Sequence, residues 1–103
     1  MNLFEVIHIR SFSTKDREAA MRAFADLRFL DSKGTIQGMK LLQDVLLETD
    51  LRVIIQWQRE TIEKAKSALG IQLAAAFTEF GRVHHFVCRE CDVSEGATHE
   101  KGI

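Results

Sequence analysis

The sequence predicts one α+β domain, and three observations predict it. Stretches rich in Val, Ile and Phe with a period of two lie near both ends of the chain and in its middle. Two intervening stretches carry apolar residues at helical spacing, as a helix buried along one side requires. The 103 residues, 46% hydrophobic and 28% charged, suit a single globular core that needs no metal or disulfide to close it. Lys and Arg number 14 against 15 Asp and Glu, and the net charge of −1 comes with no basic stripe, which argues against a nucleic-acid partner. No apolar run reaches the ~20 residues of a membrane span, and Glu5 and His8 interrupt the apolar N-terminus, so a cytoplasmic protein without a membrane partner is expected. Cys88 and Cys91 are too few for a disulfide framework and are expected as thiols.

Residues 3–12 read as a strand that ends at a Ser-Thr-Lys-Asp cluster. Ser13 or Thr14 caps a helix opened by Asp16, Arg17 and Glu18; Ala20, Phe24 and Leu27 give it an apolar side, and it is expected to run to about Leu30, before Gly34. Residues 36–47 alternate as a strand, with Met39, Leu41, Val45 and Leu47 on one face and Lys40, Leu42, Asp44 and Leu46 on the other. Glu48, Thr49 and Asp50 form a turn, and residues 51–58 return as a second strand with Val53, Ile55 and Trp57 on one face. The period then becomes helical through Ile62, Ala65, Leu69, Leu73, Ala76, Phe77 and Phe80, with Glu60 and Lys64 placed as an ion pair. Gly70 kinks this helix or splits it. Residues 83–91 form a last strand, with His84, Phe86 and Cys88 opposite Val83, His85 and Val87. Residues 92–103 are expected to be a mobile polar tail, which leaves 1–91 as the domain.

Strand, helix, strand, strand, helix, strand is the order of the ferredoxin-like βαββαβ fold, an antiparallel sheet with both helices on one face. The other face would then expose Ile54, Leu41 or Leu42, Phe86, and either Phe4 with Val6 or Ile7 with Ile9. So large an apolar area is seldom left in water, and a second copy laid face to face is the simplest cover. A homodimer is expected.

The hairpin GMKLLQDVLLETDLRVIIQWQ, residues 38–58, places a tryptophan at the end of the third strand just before the second helix. In this layout the chain resembles the antibiotic-biosynthesis-monooxygenase-like group of the dimeric α/β-barrel superfamily over nearly its whole length. The resemblance implies a dimeric α/β barrel and, as one activity of that group, cofactor-independent oxygenation of a small aromatic or quinol-like molecule. It also implies that Trp57 lines a pocket between sheet and helices. The haem-degrading branch adds a histidine from the second helix; none occurs here between Thr61 and Gly81, so that helix supplies no iron ligand.

Trp57 can stack on a planar ligand or simply pack in the core. His8, in an apolar strand, could take a phenolic proton, and Arg10, on the same face, could steady the resulting anion; both could equally be structural or solvated. His8 and Trp57 are therefore the candidate catalytic residues, and Trp57, Arg10, Phe24 and Ile55 the candidate substrate contacts. No cofactor is implied. His84, His85, Cys88 and Cys91 resemble a metal cluster, but strand geometry holds His84 and Cys88 ~13 Å apart and points His84 and His85 to opposite sides. No metal is assigned, although antiparallel pairing of the first and last strands could bring His8 near His84. The alternative to an enzyme is a non-catalytic protein that binds a small molecule, with haem as one variant, in the same fold.

Overall fold

Four strands and two helices follow one another as β1 (Leu3–Ser11), α1 (Thr14–Leu27), β2 (Ile36–Gln43), β3 (Asp50–Trp57), α2 (Ala68–Phe77) and β4 (Gly81–Arg89) in a computed structural model that describes residues 3–27, 36–57 and 66–91. The strands pair antiparallel in the order β2-β3-β1-β4, with β1 central between β3 and β4. This is the ferredoxin-like α+β arrangement. No described helix is long and apolar enough to cross a membrane.

Both helices pack on one face of the sheet. Ala20, Ala23, Phe24 and Leu27 of α1 and Leu69, Leu73, Ala74 and Phe77 of α2 meet Ile7, Ile9, Leu51, Val53, Ile55 and Trp57. In each helix the apolar residues recur every three or four positions, which keeps them on the side that faces the sheet. Ser13 caps α1, its hydroxyl accepting from the Asp16 N–H at 3.0 Å. Strand β1 decides the rest of the layout by parity. Leu3, Glu5, Ile7 and Ile9 face the helices, while Phe4, Val6, His8 and Arg10 face away.

Several boundaries differ from the sequence reading for local reasons. Strand β2 stops at Gln43 rather than at 47 because the Asp44 carboxylate accepts from the N–H groups of Leu46 and Leu47, at 2.9 and 2.7 Å, and bends the chain. Val45 and Leu47 therefore share no strand face with Met39 and Leu41; Val45 and Leu46 are almost wholly exposed in the turn. Helix α2 ends at Phe77, and Phe80 follows in a turn whose N–H donates to the Phe77 carbonyl at 2.9 Å. Gly70 lies in the first turn of α2 and does not break it. The expected helix ending near Leu30, the start of the second helix around Ile62 and Ala65, the Glu60–Lys64 pair and the tail at 92–103 lie outside the described residues.

The face without helices resolves the alternatives left open by the pattern. It carries Phe4, Val6, Ile54, Leu42 and Phe86, with Ile7, Ile9 and Leu41 on the helix side. It is not uniformly apolar. Phe4, Val6, Ile54 and Phe86 occupy one end of the strands; Arg52, His8 and His84, then Asp50, Arg10 and Arg82, occupy the other.

Candidate functional site

Glu5 is the only charged side chain of β1 that faces the helices, and it is fully buried. A carboxylate in such a place requires partners for about four lone-pair sites. It has four. Oε1 accepts from Trp57 Nε1 at 2.7 Å and from the Ser67 hydroxyl at 2.6 Å; Oε2 accepts from the Ser67 N–H at 2.9 Å and pairs with His85 Nε2 at 2.8 Å.

The chain builds this cluster from three directions. Trp57 arrives as the last residue of β3, and the register sets it opposite Leu3, so it shares the face of Glu5. His85 arrives from β4, paired with Ile7 one step along the same face. Ser67 is the N-cap of α2, and its Oγ also accepts from the Gly70 N–H at 2.9 Å. The start of a helix suits a negative charge, and α2 brings its first turn directly onto the carboxylate. Only glycine permits that approach, since a Cβ at position 70 would overlap the Glu5 carboxyl group.

The outlet of the cluster is His85. Its side chain is 7% exposed and lines an open groove of about 550 Å³ beside α2, together with Lys66, Ile71, Ala74, Ala75, Thr78, Val83 and His84. A carboxylate already filled by three other donors takes a proton-bearing nitrogen from the ring, which assigns the Nε2–H form to neutral His85. Nδ1 is then the acceptor, and it has no partner among the described residues. A histidine held by a carboxylate behind it and open on its other nitrogen is the arrangement that serves general base catalysis.

The residues singled out in the sequence do not all meet here. Trp57, 4% exposed, and Ile55, fully buried, lie on the helix-covered face, and Phe24 packs half-buried against the same core. Trp57 spends its N–H on Glu5, so its polar end is a strut of the cluster. His8 and Arg10 lie on the opposite face and cannot share a pocket with Trp57. There His8 Nε2 and Arg10 Nε meet Asp50 Oδ2 at 3.2 and 3.5 Å. Sequence reasoning missed Glu5 and His85 as a pair. The signal available was a carboxylate within the run Leu3, Ile7, Ile9 and a histidine between Val83 and Val87, each a polar group on an apolar face.

No group of three or more metal-ligating side chains occurs among the described residues. His8 and His84 are directly opposed across β1 and β4, and the next rung sets Arg10 opposite Arg82, which disfavours a cation. Cys88 and Cys91 are free and exposed.

No family model matches the chain, and no curated protein matches it. Solved structures do. A conserved protein from Methanosarcina mazei Go1 aligns with TM-score 0.68 and 11% identity over 88% of this chain and 94% of its own. SnoaB, a cofactor-independent oxygenase from Streptomyces nogalater, aligns with TM-score 0.58 and 10% identity over 91% and 97%. An antibiotic biosynthesis monooxygenase candidate from Bordetella bronchiseptica aligns with TM-score 0.57 and 12% identity over 87% and 97%. The chain has the fold of the antibiotic biosynthesis monooxygenase-like proteins. At these identities the likeness extends to the fold and leaves the chemistry to be argued from the side chains.

Proposed function

We propose that this protein is a cofactor-independent monooxygenase of a small aromatic or quinol-like substrate, with His85 as the base and Glu5 as the group that orients it. The observation that carries the reading is the Glu5–His85 pair opening onto the groove beside α2. Trp57 and Ser67 act as positioning residues through Glu5, and Lys66, on the groove wall, supplies positive charge for a developing anion.

For an anthrone-like substrate the chemistry balances without a cofactor. His85 Nδ1 takes a proton from the activated CH₂, and the resulting carbanion passes one electron to dioxygen. The two radicals combine to a peroxide, which takes the proton back from His85. Loss of water then leaves a carbonyl, so that CH₂ and O₂ become C=O and H₂O. The base needs a fixed tautomer and a position close to the substrate, and the four-donor carboxylate supplies the first.

We further propose that the protein acts as a homodimer through the apolar half of its uncovered face, where Phe4, Ile54 and Phe86 surround Val6, and that it works in the cytoplasm, where exposed thiols such as Cys88 and Cys91 stay reduced. A second reading, binding without turnover, is favoured by the openness of the groove, since oxygenation gains from a site closed to water.

Oxygen uptake with a panel of hydroquinones and anthrones separates the two. Turnover that is lost in His85→Gln and kept in His8→Ala is the expected result. Saturable ligand binding with no oxygen consumption supports the second reading, and turnover indifferent to His85→Gln removes the first.

A further inference from the structure

The uncovered face ends in a cluster of positive charge that the proposed oxygenase chemistry does not use. Arg10 of β1 stands directly opposite Arg82 of β4, and on the adjacent rung of that face His8 stands opposite His84. Like charges set directly opposite one another across a strand pair repel. Among the described residues, the one carboxylate paired with this cluster is Asp50, buried at 4% exposure, and its Oδ2 is shared between His8 and Arg10. Arg52, on β3 beside His8, is taken up by Asp44 at 3.5 Å. Arg82 has no carboxylate partner among the described residues, and His84 rests on the Phe86 ring at a centroid distance of 5.1 Å. Of the two opposed guanidinium groups, Arg10 thus shares a carboxylate with His8 and Arg82 has none among the described residues.

These side chains surround a space. A cavity of about 320 Å³ is lined by His8, Arg10, Arg82, Val83 and His84. Asp50 fixes His8 and Arg10 from behind, while Arg82 and His84 leave their donors free to turn inward. We propose that this cavity binds a phosphoryl dianion, held between Arg10 and Arg82 with His84 as a further donor. Guanidinium pairs match the oxygens of such a group with charge-assisted, two-pronged hydrogen bonds, and a bound dianion relieves the repulsion across the strand pair. The apolar half of the same face, on which the proposed dimer rests, lies at the other end of the strands.

The test is a titration of the whole protein with inorganic phosphate at constant ionic strength, balanced with chloride, followed by NMR of the imidazole and arginine Nε–H signals. One saturable event is expected, moving His8, His84, Arg10 and Arg82 and leaving His85 in place. Arg82→Gln should weaken it about tenfold or more, as the loss of one charge-assisted contact implies. Phenyl phosphate in a parallel arm identifies the source: tighter binding than phosphate supports the site and indicates a phosphomonoester, and equal binding supports it as a site for free phosphate. Acetate binding as tightly as phosphate would overturn the phosphoryl assignment. Phosphate shifts no larger than those of chloride, or full affinity in Arg82→Gln, would overturn the site. If Arg82→Gln does not fold, Arg10→Gln serves in its place. All these readouts are independent of oxygen consumption.

Discussion

Each face of the sheet holds a histidine against a carboxylate, and the surroundings of the two pairs differ. Under the helices, Glu5 is fully buried, meets four donors at 2.6 to 2.9 Å, and leaves His85 one orientation. On the uncovered face, Asp50 meets His8 and Arg10 at 3.2 and 3.5 Å, and the Arg10 side chain is 63% exposed. The short, shielded set fixes direction, which suits proton transfer; the longer, wetter set concentrates charge, which suits holding an anion.

The contrast is most directly broken at Glu5. Glu5→Ala strands the buried N–H of Trp57, the Ser67 amide and His85, and should cost about 3–5 kcal/mol in chemical denaturation. Gly70→Ala comes next. In an ordinary helix interior this change stabilises by up to ~1 kcal/mol, but here the new methyl group meets the Glu5 carboxylate, so a loss of about 2–3 kcal/mol is expected. A gain in stability would show that α2 does not press on Glu5. Trp57→Phe keeps the ring packing and removes one donor, for about 1–2 kcal/mol.

His8→Ala, the matching change on the uncovered face, should cost under ~1 kcal/mol, because its contact with Asp50 is partly exposed. The smallest effect concerns the hairpin turn. The N–H groups of Leu47 and Leu46, and then Arg52, hold the Asp44 carboxyl below its ordinary value of 3.8. Its contribution is therefore fully present above that value and is lost as pH falls through the lower folded one. NMR titration of the Asp44 carboxyl should show the lowered midpoint, and Arg52→Gln should raise it slightly.

The order of elements was legible because its signals are local: alternation in 3–11 and 50–57, the Ser13 cap, and the apolar side of α1. The face assignment of β1 was not. Leu3, Ile7 and Ile9 on one side and Phe4 and Val6 on the other make both faces apolar, so no period distinguishes them. That ambiguity let His8 be grouped with Trp57, when the register opposes Trp57 to Leu3 and sends His8 to the far side. The Glu5 cluster was hidden for a different reason. It joins residues 62 and 80 positions apart, from Glu5 to Ser67 and to His85, and only the packed sheet and helix bring them together. Gly70, which reads as a weak point in a helix, is the contact that lets α2 close over the carboxylate.

The most direct measurement is the protonation form of the His85 ring, read by long-range ¹⁵N–¹H NMR in the wild-type protein and in Glu5→Gln. The Nε2–H form alone, with a slowly exchanging proton that is lost in Glu5→Gln, is the expected result. A mixture of tautomers in the wild type, or a spectrum unchanged by Glu5→Gln, would contradict the assignment of Glu5 as the group that orients the base.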